Sequence, residues 1–163
     1  MIFIIIILLI ISLMLESAVP NLLKNIIPFF IIATILISSS FKINKKKFYV
    51  LLFITGFIYD LLYTDALILH SFIYLFIGYL SKLILSHDAS FFKYIFYYYL
   101  LSLTYVLILF LITYVYVPHN IINLIFKLRD SLIINTLYFC VLYLIFIGIK
   151  RISCNRNKKY SYF

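Results

Sequence analysis

Uncharged stretches about as long as a membrane-spanning helix recur along this 163-residue chain. Residues 25–41, 94–126 and 131–149 contain no Asp, Glu, Lys or Arg, and a transmembrane helix needs roughly 20 mostly apolar residues. With 66% hydrophobic and only 12% charged residues, the chain has too little polar surface to cover a globule in water. We therefore expect an integral membrane protein. The composition argues against a soluble enzyme, a nucleic-acid-binding domain and a secreted disulfide scaffold.

The order of apolar stretches and polar breaks predicts an all-α protein, a six-helix transmembrane bundle that forms a single domain over residues 1–163. Glu16 and Pro20 are expected to end the first span, which we interpret as retained because no basic segment precedes it. The next connection is so short that the first two spans should form a tight hairpin, with Pro28 kinking the second. The expected spans are residues 1–18, 22–40, 48–64, 66–86, 94–117 and 131–149.

Residues 118–130, between the last two expected spans, are too polar to cross the membrane. Their pattern favours a short helix in the outer interface, with an irregular loop as the alternative. The polar residues that share one face of that helix are Asn120, Asn123, Lys127 and Asp130. Residues 150–163 form a polar, basic tail. Cys140 and Cys154 are expected at different depths, so we expect no disulfide between them, and neither has the spacing of a metal ligand.

The basic residues give the expected orientation. The net charge is +9, from 14 Lys and Arg against 5 Asp and Glu, and cytoplasmic loops of membrane proteins carry an excess of Lys and Arg. If the N-terminus is cytoplasmic, only Lys24, Lys127 and Arg129 lie outside, which leaves eleven of the 14 inside. Both termini are therefore expected in the cytoplasm. The positive charge also favours contact with anionic lipid headgroups rather than nucleic acid.

Asp60 and His70 are ionisable residues that the expected spans place at membrane depth, where such groups are costly and often functional. Each lies five residues from Asp65 in the turn between the third and fourth spans. At 1.5 Å per residue, both should lie about 7–8 Å from the turn. We therefore expect them side by side on adjacent antiparallel helices.

Asp60 and His70 each belong to a set of three residues spaced four apart, which places each set on one helix face. Glycines in both sets permit close helix approach, and the polar side chains can then bond across the interface. We expect this hairpin motif to be structural and to serve also as a partner surface. Its six residues are Gly56, Asp60, Thr64, His70, Tyr74 and Gly78.

Two chemical alternatives use the same residues. Asp60 and His70 could form a catalytic dyad with Ser71 beside them, or Asp60 could relay a proton or cation. The chain has no Gly-x-Ser-x-Gly or His-Glu-x-x-His motif, no phosphate-binding glycine loop and no second acid for a metal cage. We therefore expect no enzymatic activity, no catalytic, cofactor-binding or metal-binding residues, and no cofactor.

The segment from Gly56 to Tyr79 resembles the signature of MreD, the small multi-span subunit of the bacterial rod-shape (elongation) machinery. The likeness rests on a glycine, an aspartate four residues later, a turn, and a histidine in the next apolar helix. Chain length, the six-span layout and Pro20-Asn21 after the first span also fit. This chain departs from the family at the turn, where members often carry glycines in place of Asp65 and Ile68.

The resemblance implies a non-enzymatic scaffold of the cell-wall elongation complex in the bacterial cytoplasmic membrane. It implies direct contact with the single-span protein MreC. Contact with MreB filaments and with the transglycosylase–transpeptidase pair that builds peptidoglycan would be indirect. It also implies a fold similar to the S-components of energy-coupling-factor transporters.

A vitamin-binding S-component is the alternative function. S-components typically carry a small-residue face on their first span, for docking the coupling subunit, and Ile4–Ile11 lacks such a face. An assembly factor for membrane proteins is a third possibility.

Overall fold

Six α-helices contain most of the residues described by the structure, a computed structural model. It describes residues 2–24, 26–41, 43–64, 66, 68–85, 90–114 and 121–159, without the side chains of 113, 114, 121 and 152–159. These residues form no strand, which confirms the all-helical class. The helices are α1 (Ile2–Leu22), α2 (Phe30–Ser39), α3 (Lys45–Tyr63), α4 (Leu69–Ile84), α5 (Phe91–Tyr114) and α6 (Ile121–Lys159).

Three of these helices are long and apolar enough to span a membrane. They are α1, with a mean hydropathy of 2.9, α5 over Phe91–Ile112 and α6 over Ile122–Arg151. Helices α2 and α4 are apolar but shorter. The fold therefore indicates a membrane protein, and the number of crossings stays a prediction.

Helix α2 is the centre of the bundle. It is 10 residues long and packs against α1, α4, α5 and α6. Every residue from Phe30 to Ser38 is buried, as expected for a helix that is apolar on all sides. At 1.5 Å per residue α2 is only about 15 Å long, which is about half the thickness of a bilayer core.

The helix expected for the second span, over residues 22–40, is wrong in its first half. Helix α1 continues through Pro20 to Leu22, and Ile26–Phe29 are not helical. Pro28 has no N–H to donate and disfavours a helical conformation at Ile27 before it. Helix α2 therefore begins after this proline instead of being kinked by it, and non-helical chain replaces the expected tight hairpin.

The short interfacial helix expected over residues 118–130 is also wrong as a separate element. From Ile121 onward this stretch belongs to α6, which continues unbroken through the expected sixth span and into the basic tail as far as Lys159. Residues 118–120 lie outside the described part. No proline or glycine occurs between Ile121 and Ile147, so nothing ends the helix at Asp130. With 39 residues, α6 is about 58 Å long and must extend beyond a bilayer core of about 30 Å.

The other boundaries differ from the expected spans by a few residues. Helix α3 begins at Lys45 rather than 48 because the side chain of Asn44 accepts a hydrogen bond from the Lys46 N–H at 3.0 Å. Helix α4 lies within the expected 66–86, and α5 begins earlier than residue 94. Lys45, Lys46 and Lys47 therefore lie in the first turn of α3 rather than in a loop before it.

Candidate functional site

Gly56 lies where α3 and α4 come closest together. A Cβ atom at this position would collide with the backbone of His70 and Ser71. At Gly78, the missing Cβ leaves room for the side chain of Leu52 on α3. Both glycines of the predicted motif therefore lie in the interface between the two helices. Their small size lets α3 and α4 pack tightly.

The Asp60 carboxylate joins the two helices near their connecting turn. It accepts hydrogen bonds from His70 Nδ1 at 2.6 Å, the His70 backbone N–H at 2.8 Å and the Thr64 hydroxyl at 2.9 Å. Asp60 is 1% exposed and His70 is 4% exposed. The side-by-side contact expected from the spacing of these residues is therefore present.

Tyr105, on α5, completes this group and is not among the residues that the sequence predicted. Its hydroxyl lies 3.2 Å from His70 Nε2. The two ring nitrogens of His70 thus have different partners, Asp60 at Nδ1 and Tyr105 at Nε2. The group, Asp60, Thr64, His70 and Tyr105, is called the hairpin cluster below. It connects α3, α4 and α5.

Aromatic rings enclose the imidazole of the hairpin cluster. The ring centroid of His70 lies 4.4 Å from that of Tyr59, 5.8 Å from Tyr74 and 6.1 Å from Tyr105. Tyr74, the fifth residue of the predicted motif, is fully buried. The structure thus brings all six predicted residues into the α3–α4 interface or its immediate surroundings. Packed rings on several sides keep bulk solvent from the imidazole.

The chemistry of this arrangement is limited because both ring nitrogens of His70 are engaged, with Asp60 and Tyr105. The Ser71 hydroxyl is buried and donates to the Phe53 carbonyl of α3 at 3.2 Å. A serine nucleophile needs a base with a nitrogen free to accept its proton, and His70 offers none to Ser71. Within the described part of the chain, no group of three or more His, Cys, Asp or Glu residues could hold a metal ion.

Ile68, at the N-terminus of α4, has a left-handed backbone conformation with φ of 72°. No other non-glycine residue among those described has a positive φ. A β-branched residue is strained in this conformation, which glycine adopts readily. The turn beside the hairpin cluster therefore has a shape that suits glycine, at a position where this chain carries isoleucine.

A second polar group holds the non-helical chain before α2, and the sequence did not predict it. The Asn135 side chain accepts from the Phe29 N–H and donates to the Ile27 carbonyl, both at 2.9 Å. The Ser131 hydroxyl accepts from the Ile27 N–H at 2.7 Å. Two residues of α6 therefore replace the hydrogen bonds that a regular helix would have given this backbone.

Glu16, on α1, binds the N-terminus of α2. Its Oε2 accepts a hydrogen bond from the Ile31 N–H at 2.8 Å, and the residue is 6% exposed. A carboxylate at a helix N-terminus pairs with unsatisfied N–H groups and with the positive end of the helix dipole. Glu16, Ser131 and Asn135 are called the α2 cap below. In the sequence, the signals of the α2 cap are Glu16 and Asn135, an acid and an amide that stand in largely apolar stretches.

Hydroxyl groups hold the middle of α2. Ser12 of α1 contacts Thr34 of α2 at 2.5 Å and Tyr138 of α6 at 2.7 Å. These bonds join three helices inside the apolar core. Cys140, also on α6, is a free, half-buried thiol. The side chain of Cys154 lies outside the described part.

Comparison with known proteins does not identify the chain. No model of a protein family matches it, and neither a curated protein nor a solved structure matches it. The resemblance to MreD therefore rests on the motif of α3 and α4 and remains a proposal.

Proposed function

We propose that this chain is a non-enzymatic membrane scaffold of the MreD type, acting with MreC in the bacterial cell-wall elongation complex. The observation that carries the proposal is the buried Asp60–His70 contact, because it lies in the motif on which the resemblance rests. The left-handed backbone of Ile68 supports it, since MreD-family members often carry glycine there. The polar atoms of the hairpin cluster pair with one another, which suits a cluster that holds helices together rather than one that converts a substrate.

The proposal includes a six-pass topology in the bacterial cytoplasmic membrane, with both termini cytoplasmic and an S-component-like fold. The segment before Lys45 supports it. The non-helical residues Ile26–Phe29 add at most about 13 Å to the length of α2, which is about 15 Å, so the segment approaches the bilayer thickness of about 30 Å. Non-helical backbone is tolerated at membrane depth where protein surrounds it, and the α2 cap supplies its hydrogen bonds.

A groove between α1 and α3 is the surface we assign to the single span of MreC. It has a volume of about 210 Å³ and is lined almost entirely by apolar side chains, including Leu9, Met14, Ile54 and Ile58. The hydroxyl of Thr55, which also lines it, donates to the Leu51 carbonyl within α3. Association of helices in lipid depends on close packing rather than on a hydrophobic driving force. A groove offers a partner helix a larger contact surface than the convex side of a single helix does. MreB and the transglycosylase–transpeptidase pair would be reached through MreC.

Depletion of the protein in a rod-shaped host tests the function. We expect rounded, swollen cells, loss of MreC from the purified complex, and unchanged uptake of vitamins. Normal cell shape together with lost uptake of one small molecule would contradict the scaffold and favour the S-component alternative.

A substitution that fills the groove tests the assigned surface. Ile58→Trp should reduce co-purification of MreC by about tenfold, because overfilling a packed contact costs about 1–3 kcal/mol. Leu61→Trp is the matched control, since Leu61 is 57% exposed on the same helix and does not line the groove. Equal recovery of MreC with both variants, at equal abundance, would show that MreC binds elsewhere.

A further inference from the structure

A cavity of about 390 Å³ opens at the end of the bundle where α2 and α4 end and α3 begins. The hairpin cluster lies at the other end of α3 and α4. The cavity has the size of a small-ligand site and mixes polar and apolar walls. Residues that line it include Ser40, Lys45, Tyr49, Tyr79, Lys82 and Leu83. It is called the lysine cavity below.

Two cations face this cavity from different helices. The charge of Lys45, on α3, acts on that of Lys82, on α4, so the two ammonium groups repel each other. Neither forms an ion pair with a described carboxylate. The acidic residues in the described part of the chain are engaged elsewhere: Glu16 with α2, Asp60 with His70 and Asp130 with Arg129. Asp65 and Asp88 lie outside that part.

The helix dipole favours a cation at the position of Lys82 but opposes one at the position of Lys45. Lys82 lies in the last turn of α4, where the helix dipole favours a cation. Lys45 begins α3, and a cation in a first helical turn is opposed by the dipole. An anion held between the two ammonium groups would remove their repulsion and would also be favoured by the N-terminus of α3.

The other walls suit a charged headgroup with an apolar continuation. Ser40 and Tyr94 share a hydrogen bond of 2.8 Å, and when Tyr94 is the donor the Ser40 proton is free for a ligand. The Lys82 ammonium lies 4.4 Å from the centre of the Phe48 ring, which fixes its position by a cation–π contact. Leu83, 66% exposed, extends the wall outward as an apolar surface.

We propose that the lysine cavity binds a phosphate-bearing anion through Lys45 and Lys82. The anion is either the headgroup of an anionic phospholipid or a soluble phosphate compound, and the two sources share the same charge chemistry. This inference goes beyond the scaffold function and does not depend on it. The site is defined by the cavity and its two lysines, whichever partner the α1–α3 groove binds.

Ligand binding to the purified full-length protein in detergent tests the proposal. Native mass spectrometry should detect bound short-chain phosphatidylglycerol at an ionic strength of about 0.15 M, where exposed charges more than about 8 Å apart are largely screened. Phosphatidylcholine, with no net charge, should bind more weakly. The Lys45→Gln/Lys82→Gln variant should lose about thirtyfold in affinity, because each of the two lysines contributes about 1 kcal/mol toward an anionic headgroup and about 1.4 kcal/mol corresponds to tenfold.

A matched variant separates this site from general surface charge. Lys46→Gln/Lys47→Gln removes two charges from the same turn of α3; both residues are exposed, as Lys45 is, but neither lines the cavity. It should change affinity by less than about twofold. Lys82→Arg retains the cation and should retain binding, which controls for loss of folding.

The remaining outcomes identify the source or overturn the proposal. Full competition by inorganic phosphate at equal concentration would support the site and assign it to a soluble phosphate compound. Selective binding of phosphatidylglycerol would assign it to the lipid. Equal affinity for phosphatidylcholine, or equal losses in the two double-lysine variants, would overturn the proposal.

Discussion

The side chain of Asn135 supplies hydrogen bonds to the non-helical backbone that precedes α2. Its amide pairs with both the N–H of Phe29 and the carbonyl of Ile27, as a neighbouring strand would. Backbone groups left without partners in an apolar interior are costly. The polar side chains of Ser131 and Asn135 therefore serve the backbone at the place where regular helix is absent.

Replacement of Asn135 should destabilise the protein without altering its surface. Asn135→Leu leaves two buried backbone groups without partners, and we expect a loss of about 2 kcal/mol in the free energy of unfolding. Unfolding in a denaturing detergent titration measures it. Asn123→Leu, at an exposed position of the same helix, should change the value by less than about 0.5 kcal/mol. Equal stability of both variants would contradict the role given to Asn135.

Two substitutions at Ile68 test the strained turn. Ile68→Gly and Ile68→Ala both remove the side chain, but only glycine accepts a φ of 72° without strain. The glycine variant should therefore be more stable than the alanine variant by about 1 kcal/mol. The same detergent titration compares them. A more stable alanine variant would show that this residue is not held in the left-handed conformation.

The sequence predicted the Asp60–His70 contact because both residues lie on regular helices, where the rise per residue converts spacing into depth. It did not predict Tyr105, because the partner helix and its rotation are set by tertiary packing. The α2 cap was missed for a related reason. Residues 22–40 were interpreted as one helix, and a continuous helix needs no Glu16 or Asn135 to satisfy its backbone.

Helices α2 and α6 show where apolar patterns predict elements poorly. The apolar stretch from Ile26 to Ser39 contains Pro28, and hydropathy alone cannot distinguish a kink from a helix start. At Asp130 the polarity changes but no helix-breaking residue occurs, and α6 continues. Local backbone chemistry, rather than polarity, therefore set both helix boundaries.

Replacing each of the three glycines with alanine should change the stability of the protein according to the space around each glycine. At Gly56 a Cβ would meet backbone atoms of α4, so Gly56→Ala should separate α3 from α4 at a cost of about 1–3 kcal/mol. At Gly78 it would meet side-chain atoms of Leu52 and Phe48 rather than backbone, and the cost should be smaller.

Gly148 is the matched control for this series. No atom lies within 4 Å of a Cβ built there, and Gly148→Ala should stabilise α6 by up to about 1 kcal/mol through helix propensity. Thermal unfolding in detergent gives the order. A Gly56→Ala protein as stable as Gly148→Ala would contradict the close α3–α4 approach.

The whole molecule surrounds one fully buried short helix with longer helices, three of which can span a membrane. Its proposed orientation makes a direct prediction from the uneven distribution of Lys and Arg. Reporter fusions at Lys46 and at the C-terminus should read cytoplasmic, and a fusion at Asp65 extracytoplasmic. An extracytoplasmic signal from the C-terminal fusion would overturn the six-pass arrangement.

The scaffold and a proton or cation relay through Asp60 make opposite predictions for Asp60→Asn. The amide nitrogen of asparagine can donate to His70 Nδ1 after a change of tautomer, while its oxygen accepts the His70 N–H. The Thr64 hydroxyl can then turn toward the carbonyl of residue 60 or of Ala66, at 3.4 and 3.3 Å. The hairpin cluster is therefore retained, although an amide cannot carry a proton at this position.

Complementation of depleted cells by Asp60→Asn, with protein abundance and cell shape recorded together, is the most direct test of a scaffold held by this cluster. Asp60→Leu is the control, because it leaves His70 without its buried partner and should lower abundance and MreC recovery. If the cluster holds a scaffold, Asp60→Asn should give rod-shaped cells and near-normal protein abundance. Normal abundance with rounded cells would contradict it and would show that the carboxylate carries a proton or cation.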